Sequence, residues 1–378
     1  MMYECIIIGG GVVGSSAAYH LAKKGNETLL LEQFSLPHTR GSSHGATRML
    51  RCSYEDPLYS KMTVEALQLW KRLEKETNEK IFQETGLMLV ADPPHEKFER
   101  RFTSVQTTGG NCQELCAEDM QKRCPGLIRF SPSERMYIEY NAGTLRADKA
   151  LGCLRAQIRK FGGQIHDEEK VTNIVPGRVV TVKTNKRTYQ TKHLVITPGA
   201  WISQLLEPLG LNIPYHVRRV SVFYWKERVQ GSSKNMTAFL DITNETYAFP
   251  SSEYSGLMKI GTENGVKTSP DFRDDNIDNT DLEFMCNYVK QRFPGVYCKP
   301  SIVESCMYTL TPDENFVLDC IPGHPNIVFG IGFSGHGFKM APVVGRILGE
   351  MVLGEKLSYD VSSMSVKRFP GAVLSSKL

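Results

Sequence analysis

Three glycines near the amino terminus have the spacing of a phosphate-binding turn. Gly9, Gly11 and Gly14 form the pattern G-x-G-x-x-G directly after the apolar run Cys5–Ile8. In such a turn the glycines allow a tight bend, close approach of the backbone to a diphosphate, and close helix–strand packing. The N–H groups and the positive dipole at the start of the helix attract phosphates. Glu32, 18 residues after Gly14, suits the ribose hydroxyls, so a bound dinucleotide is predicted, with a plain βαβ turn as the alternative.

A second group of side chains has the chemistry to bind an anion. His44, Arg48 and Arg51 are spaced four and then three residues apart, which would align them on one face only if the segment were helical. Gly45 and its polar neighbours favour a loop instead. The planar guanidinium of arginine matches the two oxygens of a carboxylate. On residue type and spacing alone, a solvated basic segment is a plausible interpretation of this pattern.

A parallel sheet with packed helices is needed to position these residues. Strand Cys5–Ile8, a helix extending to Lys24 and strand Thr28–Leu31 form a βαβ unit. Further buried strands are predicted at His193–Thr197 and Asn326–Ile331. The recurrence of such strands far along the chain predicts a dinucleotide-binding domain that is discontinuous in sequence.

A second strand–turn–helix unit lies near the carboxyl terminus. The glycine-rich segment Gly332–Lys339 follows a predicted strand, and an apolar helical pattern begins at about Pro342. Between the two units, residues 215–310 alternate short β-type runs with polar turns and contain a helical pattern near Asp281–Arg292. This alternation of β-type runs and turns predicts a second, mostly antiparallel sheet.

Composition excludes several classes of protein. The chain has 378 residues, 41% of them hydrophobic and 23% charged, with a formal net charge of +4. That charge is too small to argue for a nucleic-acid surface, and no apolar run reaches the roughly 20 residues that span a bilayer. Neither nucleic acid nor a membrane is an expected partner. The ten irregularly spaced cysteines and the absence of a secretory signal favour reduced thiols inside the cell, and no metal site is predicted.

The last three residues form a targeting signal. Ser376-Lys377-Leu378 is the tripeptide that the peroxisomal import receptor reads. The expected localisation is therefore the peroxisome, where enzymes that produce hydrogen peroxide are usually kept.

Four motifs together resemble the monomeric sarcosine oxidase family, a branch of the D-amino-acid-oxidase-like flavoproteins. They are Gly9–Gly14, Gly41–Arg51, Cys306–Thr309 and Gly332–Lys339, in the family's order and over nearly the whole chain. The segment from Glu304 and the carboxyl-terminal tripeptide are similar to the peroxisomal members. The resemblance implies FAD as the cofactor.

The fold class that follows is α/β. It consists of a discontinuous Rossmann-like FAD-binding domain and a mostly antiparallel β-sheet substrate domain of the α+β type. The FAD-binding domain is assigned residues 1–83, 146–214 and 311–378. The substrate domain is assigned residues 84–145 and 215–310.

The resemblance also implies that the FAD is covalently bound. The matching cysteine is Cys306, whose sulfur would form a thioether with the 8α-methyl group of the flavin. Such a tether prevents loss of the cofactor and raises its potential. On composition alone, a buried structural cysteine is the alternative.

Residue roles in the active site are likewise implied by the family pattern. Arg51 and Lys339 would bind the substrate carboxylate, and Arg48 and His44 would lie beside the flavin. Lys259 would activate dioxygen near flavin N5. Tyr308 and Tyr247 would shape the amine pocket, or serve as core aromatics. The implied cofactor-binding set is Gly9, Gly11, Val12, Val13, Gly14, Glu32, Gly41, Ser42, Ser43, His44, Arg48, Gly199, Trp201, Cys306, Met307, Gly332, Gly335, Gly337 and Lys339.

Two positions depart from the family pattern. Glu263 stands four residues after Lys259, where bacterial members carry histidine, and Ala46 replaces a polar residue. A carboxylate at 263 is expected to contact the substrate and to change which amine is accepted.

The function expected from the sequence is oxidation of an amino acid that is a secondary amine, such as sarcosine or L-pipecolate. The products are an imine and hydrogen peroxide from dioxygen, and the protein is expected to be a monomer. One alternative is an oxidase of another N-substituted amino acid, such as N-methyltryptophan or a fructosyl amino acid. A nicotinamide-dependent dehydrogenase and a non-catalytic flavin-binding or RNA-modifying relative are alternatives of a different class.

Overall fold

The computed structural model describes residues 2–274 and 280–373. The tripeptide Ser376-Lys377-Leu378, on which the targeting prediction rests, lies outside the described residues. Within the two described ranges, none of the helices has the length and apolar character that a bilayer crossing requires.

The described chain forms twenty strands and eight α-helices. The strands are β1 (Met2–Ile8), β2 (Thr28–Leu31), β3 (Thr47–Leu50), β4 (Phe82–Glu84), β5 (Leu87–Ala91), β6 (Cys112–Glu114), β7 (Arg135–Glu139), β8 (Gly143–Arg146), β9 (Gln164–His166), β10 (Val171–Val175), β11 (Val180–Thr184), β12 (Thr188–Ile196), β13 (His216–Glu227), β14 (Ala238–Asp241), β15 (Thr246–Pro250), β16 (Leu257–Thr262), β17 (Val266–Thr268), β18 (Val296–Leu310), β19 (Val317–Ile321) and β20 (His324–Ile331). The helices are α1 (Val12–Lys23), α2 (Pro57–Thr77), α3 (Glu96–Thr107), α4 (Ala117–Arg123), α5 (Ala147–Lys160), α6 (Ile202–Leu206), α7 (Thr280–Arg292) and α8 (Gly337–Leu353).

The first large sheet contains the amino-terminal βαβ unit. Strands β9, β2, β1, β12 and β20 are parallel neighbours in that order, and β19 adds an antiparallel edge. The first half of β12 also pairs with the hairpin β10–β11. Ile6 and Leu29 are fully buried, as expected of parallel strands covered on both faces. Because β20 comes from the far end of the chain, this sheet is discontinuous in sequence, which confirms the predicted fold class.

The second large sheet is mostly antiparallel, as predicted. Its order is β17-β13-β16-β15-β14-β5-β7-β6, with β18 paired to the other edge of β13. Only β14 and β5 run parallel in it. A small third sheet, β3-β8-β4, crosses the borders assigned from sequence, since β4 and β8 each contain a border residue. The exact domain borders stay a prediction.

Two local predictions were wrong. The last helix begins at Gly337, five residues before Pro342, so Lys339 lies inside α8. Proline is common in the first turn of helices and suggested a later start. Buried contacts stabilise the earlier turn instead, since the Trp70 indole donates to the Lys339 carbonyl oxygen over 3.0 Å. The segment with Arg48 is not all loop, because β3 pairs with β8 there and cross-strand hydrogen bonds outweigh its polar composition.

Candidate functional site

A cavity of about 770 Å³ connects the amino-terminal turn to the turn before α8. Its size is within the range of small-molecule sites. Eighteen of the nineteen predicted cofactor-binding residues line it, and Lys339 is the exception. The fold therefore brings together motifs from both ends of the chain. The lining includes Gly9–Gly14, Glu32, Gly41–Ala46, Arg48, Gly199, Trp201, Cys306–Thr309, Gly332–Gly335, Gly337 and Phe338.

The glycine turn is held by close backbone contacts. A Cβ atom on Gly14 would lie 1.9 Å from the carbonyl oxygen of Gly9, and one on Gly9 would lie 2.2 Å from that of Thr197. Gly9 also has a φ of +101°, which other residues rarely adopt. The Gly11 N-cap contributes no side-chain hydrogen bond to α1. The turn therefore forms a cradle of backbone N–H groups that fits a diphosphate.

Replacing Gly14 with alanine is expected to destabilise this turn and weaken dinucleotide binding. The added methyl group has no space, and overpacking of this kind costs about 1–3 kcal/mol. Cofactor content and the unfolding midpoint of the purified variant measure the effect. Gly349→Ala in α8 is the matched control, because its Cβ would meet Leu21 at an ordinary 3.7 Å. Equal cofactor content in both variants would contradict the assigned role of Gly14.

Glu32 is fixed at the edge of this cradle. Its two carboxylate oxygens accept hydrogen bonds from the backbone N–H groups of Gly10, over 2.8 Å, and Phe34, over 3.0 Å. The His38 ring lies 3.5 Å from the same carboxylate. Burial opposes ionisation, but these hydrogen bonds outweigh it and lower the pKa of Glu32. The ionised carboxylate keeps acceptor capacity for ribose hydroxyls.

Cys306 lies in the opposite wall of the cavity. It belongs to β18, is 7% exposed, and its sulfur is 3.8 Å from the carbonyl oxygen of Ser42. Tyr308 follows on the same face of the strand. Gly335 has a φ of +78°, and its Cβ would lie 2.8 Å from the Tyr308 ring, so only glycine lets this turn come so close. The α8 N-cap makes no side-chain hydrogen bond.

Arg48 and His44 hold the segment between the two ends of the cavity. The Arg48 guanidinium donates to the carbonyl oxygens of Thr47, Ser42 and His44. His44 Nδ1 lies 2.6 Å from the Gly41 carbonyl oxygen. Burial lowers the pKa of His44 to about 4, against that hydrogen bond, so the imidazole is neutral near pH 7. This segment offers one fixed cation and one neutral ring to the cavity.

Arg51 and Lys339 form a buried cationic pair behind the cavity. They are 7% and 8% exposed, and both lie over the ring of Tyr54, at 4.6 Å and 5.3 Å from its centroid. Within the described part of the chain, neither side chain is in an ion pair. Burial and the Arg51 charge lower the pKa of Lys339. Arg51 donates a hydrogen bond to the Ser53 carbonyl oxygen, but a buried charge without a counter-charge in contact is costly, so the pair is suited to bind an anion.

Sequence reasoning missed two residues of this cationic cluster. Tyr54 supplies the shared ring, and its hydroxyl has no partner among the described residues. Arg101 comes from α3, and burial together with Arg51 lowers its pKa. Its Nε atom is also unpartnered in the described structure, and its closest carboxylate oxygen, on Glu55, is 3.7 Å from Nη2. Neither residue stands in a recognisable motif, so no sequence signal identifies them.

Lys259 is paired with a buried carboxylate that the sequence did not indicate. Its Nζ atom lies 3.2 Å from Glu253 Oε1 and 3.5 Å from the Thr47 carbonyl oxygen. Burial lowers the pKa of Lys259, although Glu253 opposes the shift. Burial also opposes ionisation of Glu253, but Lys259 and the Thr47 hydroxyl outweigh it and lower its pKa to about 2. Lys259 does not line the large cavity.

The Glu253–Lys259 pair predicts a dependence of stability on pH. A carboxylate whose pKa is depressed on folding contributes stability above its ordinary pKa of about 4.5 and loses it as pH falls towards 2. Glu253→Gln is expected to lower stability at pH 7 by about 3 kcal/mol, because it leaves Lys259 buried and unpaired. The difference from wild type should shrink between pH 5 and pH 3. Denaturant unfolding at each pH measures it, and a gap that stays constant would contradict the ion pair.

Tyr247 and Glu263 lie near this region but differ in exposure. The half-buried Tyr247 ring is stacked on Phe249, with centroids 5.7 Å apart. A Cβ on Gly261 would lie 2.7 Å from the Tyr247 hydroxyl. Glu263 is exposed and does not line the cavity. The negative charge of Glu263 nevertheless acts to raise the pKa of Lys339. Glu263 therefore interacts electrostatically with the cationic cluster.

Comparison with known proteins gives one consistent result. A family profile described as "FAD dependent oxidoreductase" matches residues 4–351. The peroxisomal sarcosine oxidase of Mus musculus is 42% identical over 376 residues, covering 97% of this chain and 96% of that protein. The monomeric sarcosine oxidase of Bacillus sp. (strain NS-129) is 34% identical, covering 97% of each. The L-proline dehydrogenase structure from P. horikoshii superposes with a TM-score of 0.86 at 21% identity, covering 99% of both chains.

Proposed function

The chain belongs to the family of FAD-dependent oxidoreductases, and from this premise we propose that it is an oxidase of amino acids that are secondary amines. The carbon next to the amine loses a hydride equivalent, so that the C–N bond becomes an imine. Dioxygen accepts the two electrons with two protons and leaves as hydrogen peroxide. Bound FAD supplies the two-electron chemistry that links these half-reactions.

The observation that carries the proposal is the buried pair Arg51 and Lys339. Both cations lie within the protein beside the ring of Tyr54, and no ion pair among the described residues neutralises them. The charges of Glu263 and Glu139 act on Lys339 from beyond ion-pair distance, so a substrate carboxylate would supply the direct partner with charge-assisted hydrogen bonds. Sarcosine, L-pipecolate and similar amino acids carry this group next to the amine, so the clamp would orient the reacting carbon.

Residues around the reacting centre support the same reaction. His44 is neutral near pH 7 because burial lowers its pKa, so it does not repel an approaching amine cation. Tyr308 keeps its proton because burial raises its pKa. The amine must be neutral to release the hydride equivalent, so the rate of reduction should rise with pH through the amine's apparent pKa.

The proposed attachment of FAD is a thioether to Cys306. Support comes from the position of this cysteine in the cavity wall, opposite the glycine turn and beside Ser42. A cysteine that is 93% buried and linked in this way would hold the reactive ring next to Tyr308 and the turn before α8.

The proposed cellular setting is the peroxisome, reached through the import receptor that reads Ser376-Lys377-Leu378. This rests on the tripeptide and on relatives whose names describe them as peroxisomal. A monomeric state is proposed as well, because several bacterial relatives are named monomeric sarcosine oxidases.

A substrate panel tests the proposed activity. The purified protein is mixed anaerobically with sarcosine, L-pipecolate, L-proline, N-methyltryptophan and a fructosyl amino acid, and flavin absorbance is followed. We expect bleaching by at least one cyclic or N-methyl amino acid and, in air, one hydrogen peroxide formed for each dioxygen consumed. Piperidine is the matched control for L-pipecolate because it lacks only the carboxylate, and it should bleach the flavin poorly. Absence of bleaching by the whole panel would refute the proposal, whereas reduction by NADH alone would favour the nicotinamide-dependent alternative.

A further inference from the structure

We propose that Glu253, Tyr224 and Glu304 form a proton path that connects Lys259 with the protein surface. The inference rests on the proposed oxidase function and extends it, because it assigns the source of a proton that peroxide formation consumes. The path is a chain of hydrogen bonds through side chains to which the sequence analysis assigned no role. Its two ends are the buried Lys259 and the partly exposed Tyr254.

The inner end of the path is the ion pair described above. Lys259 is 4% exposed and contacts Glu253 Oε1 over 3.2 Å. The Lys259 ammonium also lies 5.3 Å from the centroid of the Tyr224 ring. The charge of Arg48 also acts on Lys259 and lowers its pKa. Because Lys259 is buried, its hydrogen-bond partners provide the direct route by which Nζ would regain a lost proton.

The middle of the path is one hydroxyl shared by two carboxylates. The Tyr224 side chain is fully buried, and its hydroxyl oxygen lies 3.3 Å from Glu253 Oε1 and 3.1 Å from Glu304 Oε2. Burial and the two carboxylates raise the pKa of Tyr224, so the hydroxyl stays protonated. The hydroxyl has one proton, so it can donate a hydrogen bond to only one of the two carboxylates at a time. The hydroxyl can therefore accept a proton from Glu304 while it passes its own to Glu253.

The outer end of the path reaches a less buried surface. The Tyr254 hydroxyl donates to Glu304 Oε1 over 2.8 Å, and both residues are partly exposed. Glu304 lies two residues before Cys306 on β18, so the two side chains share a face of the strand. The rings of Tyr224 and Tyr254 meet edge to face with centroids 4.8 Å apart, which fixes their hydroxyl positions. The path thus runs beside the proposed site of flavin attachment.

The proton balance defines what the path does. Peroxide formation would take two electrons and one proton from the reduced cofactor and a second proton from the protein. Lys259 would give one proton from Nζ. Water at the surface would then return one proton through the Tyr254 hydroxyl, Glu304, the Tyr224 hydroxyl and Glu253, which restores the ammonium. Glu253 is a positioning and proton-transferring residue here, because it acts through Lys259.

The test measures reoxidation of enzyme that has been reduced with dithionite, so it does not depend on the identity of the amine substrate. Tyr224→Phe removes the shared hydroxyl and keeps the ring. The reaction with dioxygen should slow at least about tenfold, acquire a solvent deuterium isotope effect, and recover partly in concentrated imidazole or formate buffer. Tyr359→Phe is the matched control, because Tyr359 donates to the ion-paired Glu65 over 2.8 Å far from this path.

A second readout is independent of turnover. In infrared spectra of the resting protein, Tyr224→Phe should change the carboxylate bands, and so should Tyr359→Phe. Only Tyr224→Phe should also slow reoxidation. If Tyr224→Phe does not fold, Glu304→Gln and Tyr254→Phe at the outer end should give the same isotope effect and buffer rescue. Reoxidation at the wild-type rate, or slowing without isotope effect and rescue, would overturn the path. A failed amine panel with intact dithionite results would instead overturn only the substrate assignment.

Discussion

Replacing Lys259 with methionine is expected to slow the reaction of the reduced enzyme with dioxygen by about 100- to 1,000-fold. Lys259 is the buried cation of the second sheet nearest to Glu253 and Tyr224, and electron transfer to dioxygen creates negative charge that a fixed cation stabilises. Reduction of the flavin by the amino acid should be nearly unchanged, because that step creates no charge on oxygen. Stopped-flow measurement of the two half-reactions separates them.

The control for this variant addresses the carboxylate that it leaves behind. Lys259→Met strands Glu253 as an unpaired buried charge, which alone disturbs packing and electrostatics. The double variant Lys259→Met/Glu253→Gln removes both charges and should reoxidise as slowly as the single variant. Lys259→Arg, which keeps the charge, should recover most of the rate. Equal slowing of both half-reactions would contradict the role of Lys259.

Replacing Arg51 with glutamine is expected to reduce kcat/KM for the amino acid substrate by about 100- to 1,000-fold. Truncating one partner of a buried, hydrogen-bonded charge pair costs about 2–5 kcal/mol, and Arg51 is one of two cations available to the carboxylate. The weak reaction with piperidine, which has no carboxylate, should change little. The ratio of the two kcat/KM values is therefore the measurement.

Arg135→Gln is the matched arginine control. Its guanidinium pairs with Glu99 and Glu114 at the surface, and exposed pairs of this kind contribute about 0–1 kcal/mol. This variant should retain the wild-type kcat/KM. A similar loss for both substrates in Arg51→Gln would show that the side chain supports the fold rather than the carboxylate.

Local sequence patterns were sufficient to predict the dinucleotide-binding half of the fold. The βαβ unit around Gly9 and Glu32 is a contiguous segment whose turn, helix and strands have strong local signals. The alternating runs around Tyr247 and Lys259 likewise indicated the antiparallel sheet. Placing both ends of the chain around one cavity required the family resemblance, because no local pattern links Gly9 with Cys306.

The contacts that local patterns could not predict are long-range. Arg101 reaches the cationic cluster from α3, and Tyr224 joins two carboxylates from different segments. Each depends on tertiary packing that has no period or motif in the sequence. The start of α8 was also misplaced, because the stabilising partner of its first turn, Trp70, is remote in the chain.

One flavin is expected to join the amino-terminal glycine turn to Cys306, and acid precipitation of the purified protein shows whether it does. We expect the yellow colour to stay with the precipitated wild type, and mass spectrometry to find the peptide containing Cys306 heavier by one FAD less two hydrogens. In Cys306→Ala the acid should release the flavin into solution. Colour released from the wild type, with an unmodified Cys306 peptide, would show that the flavin is not attached to this cysteine.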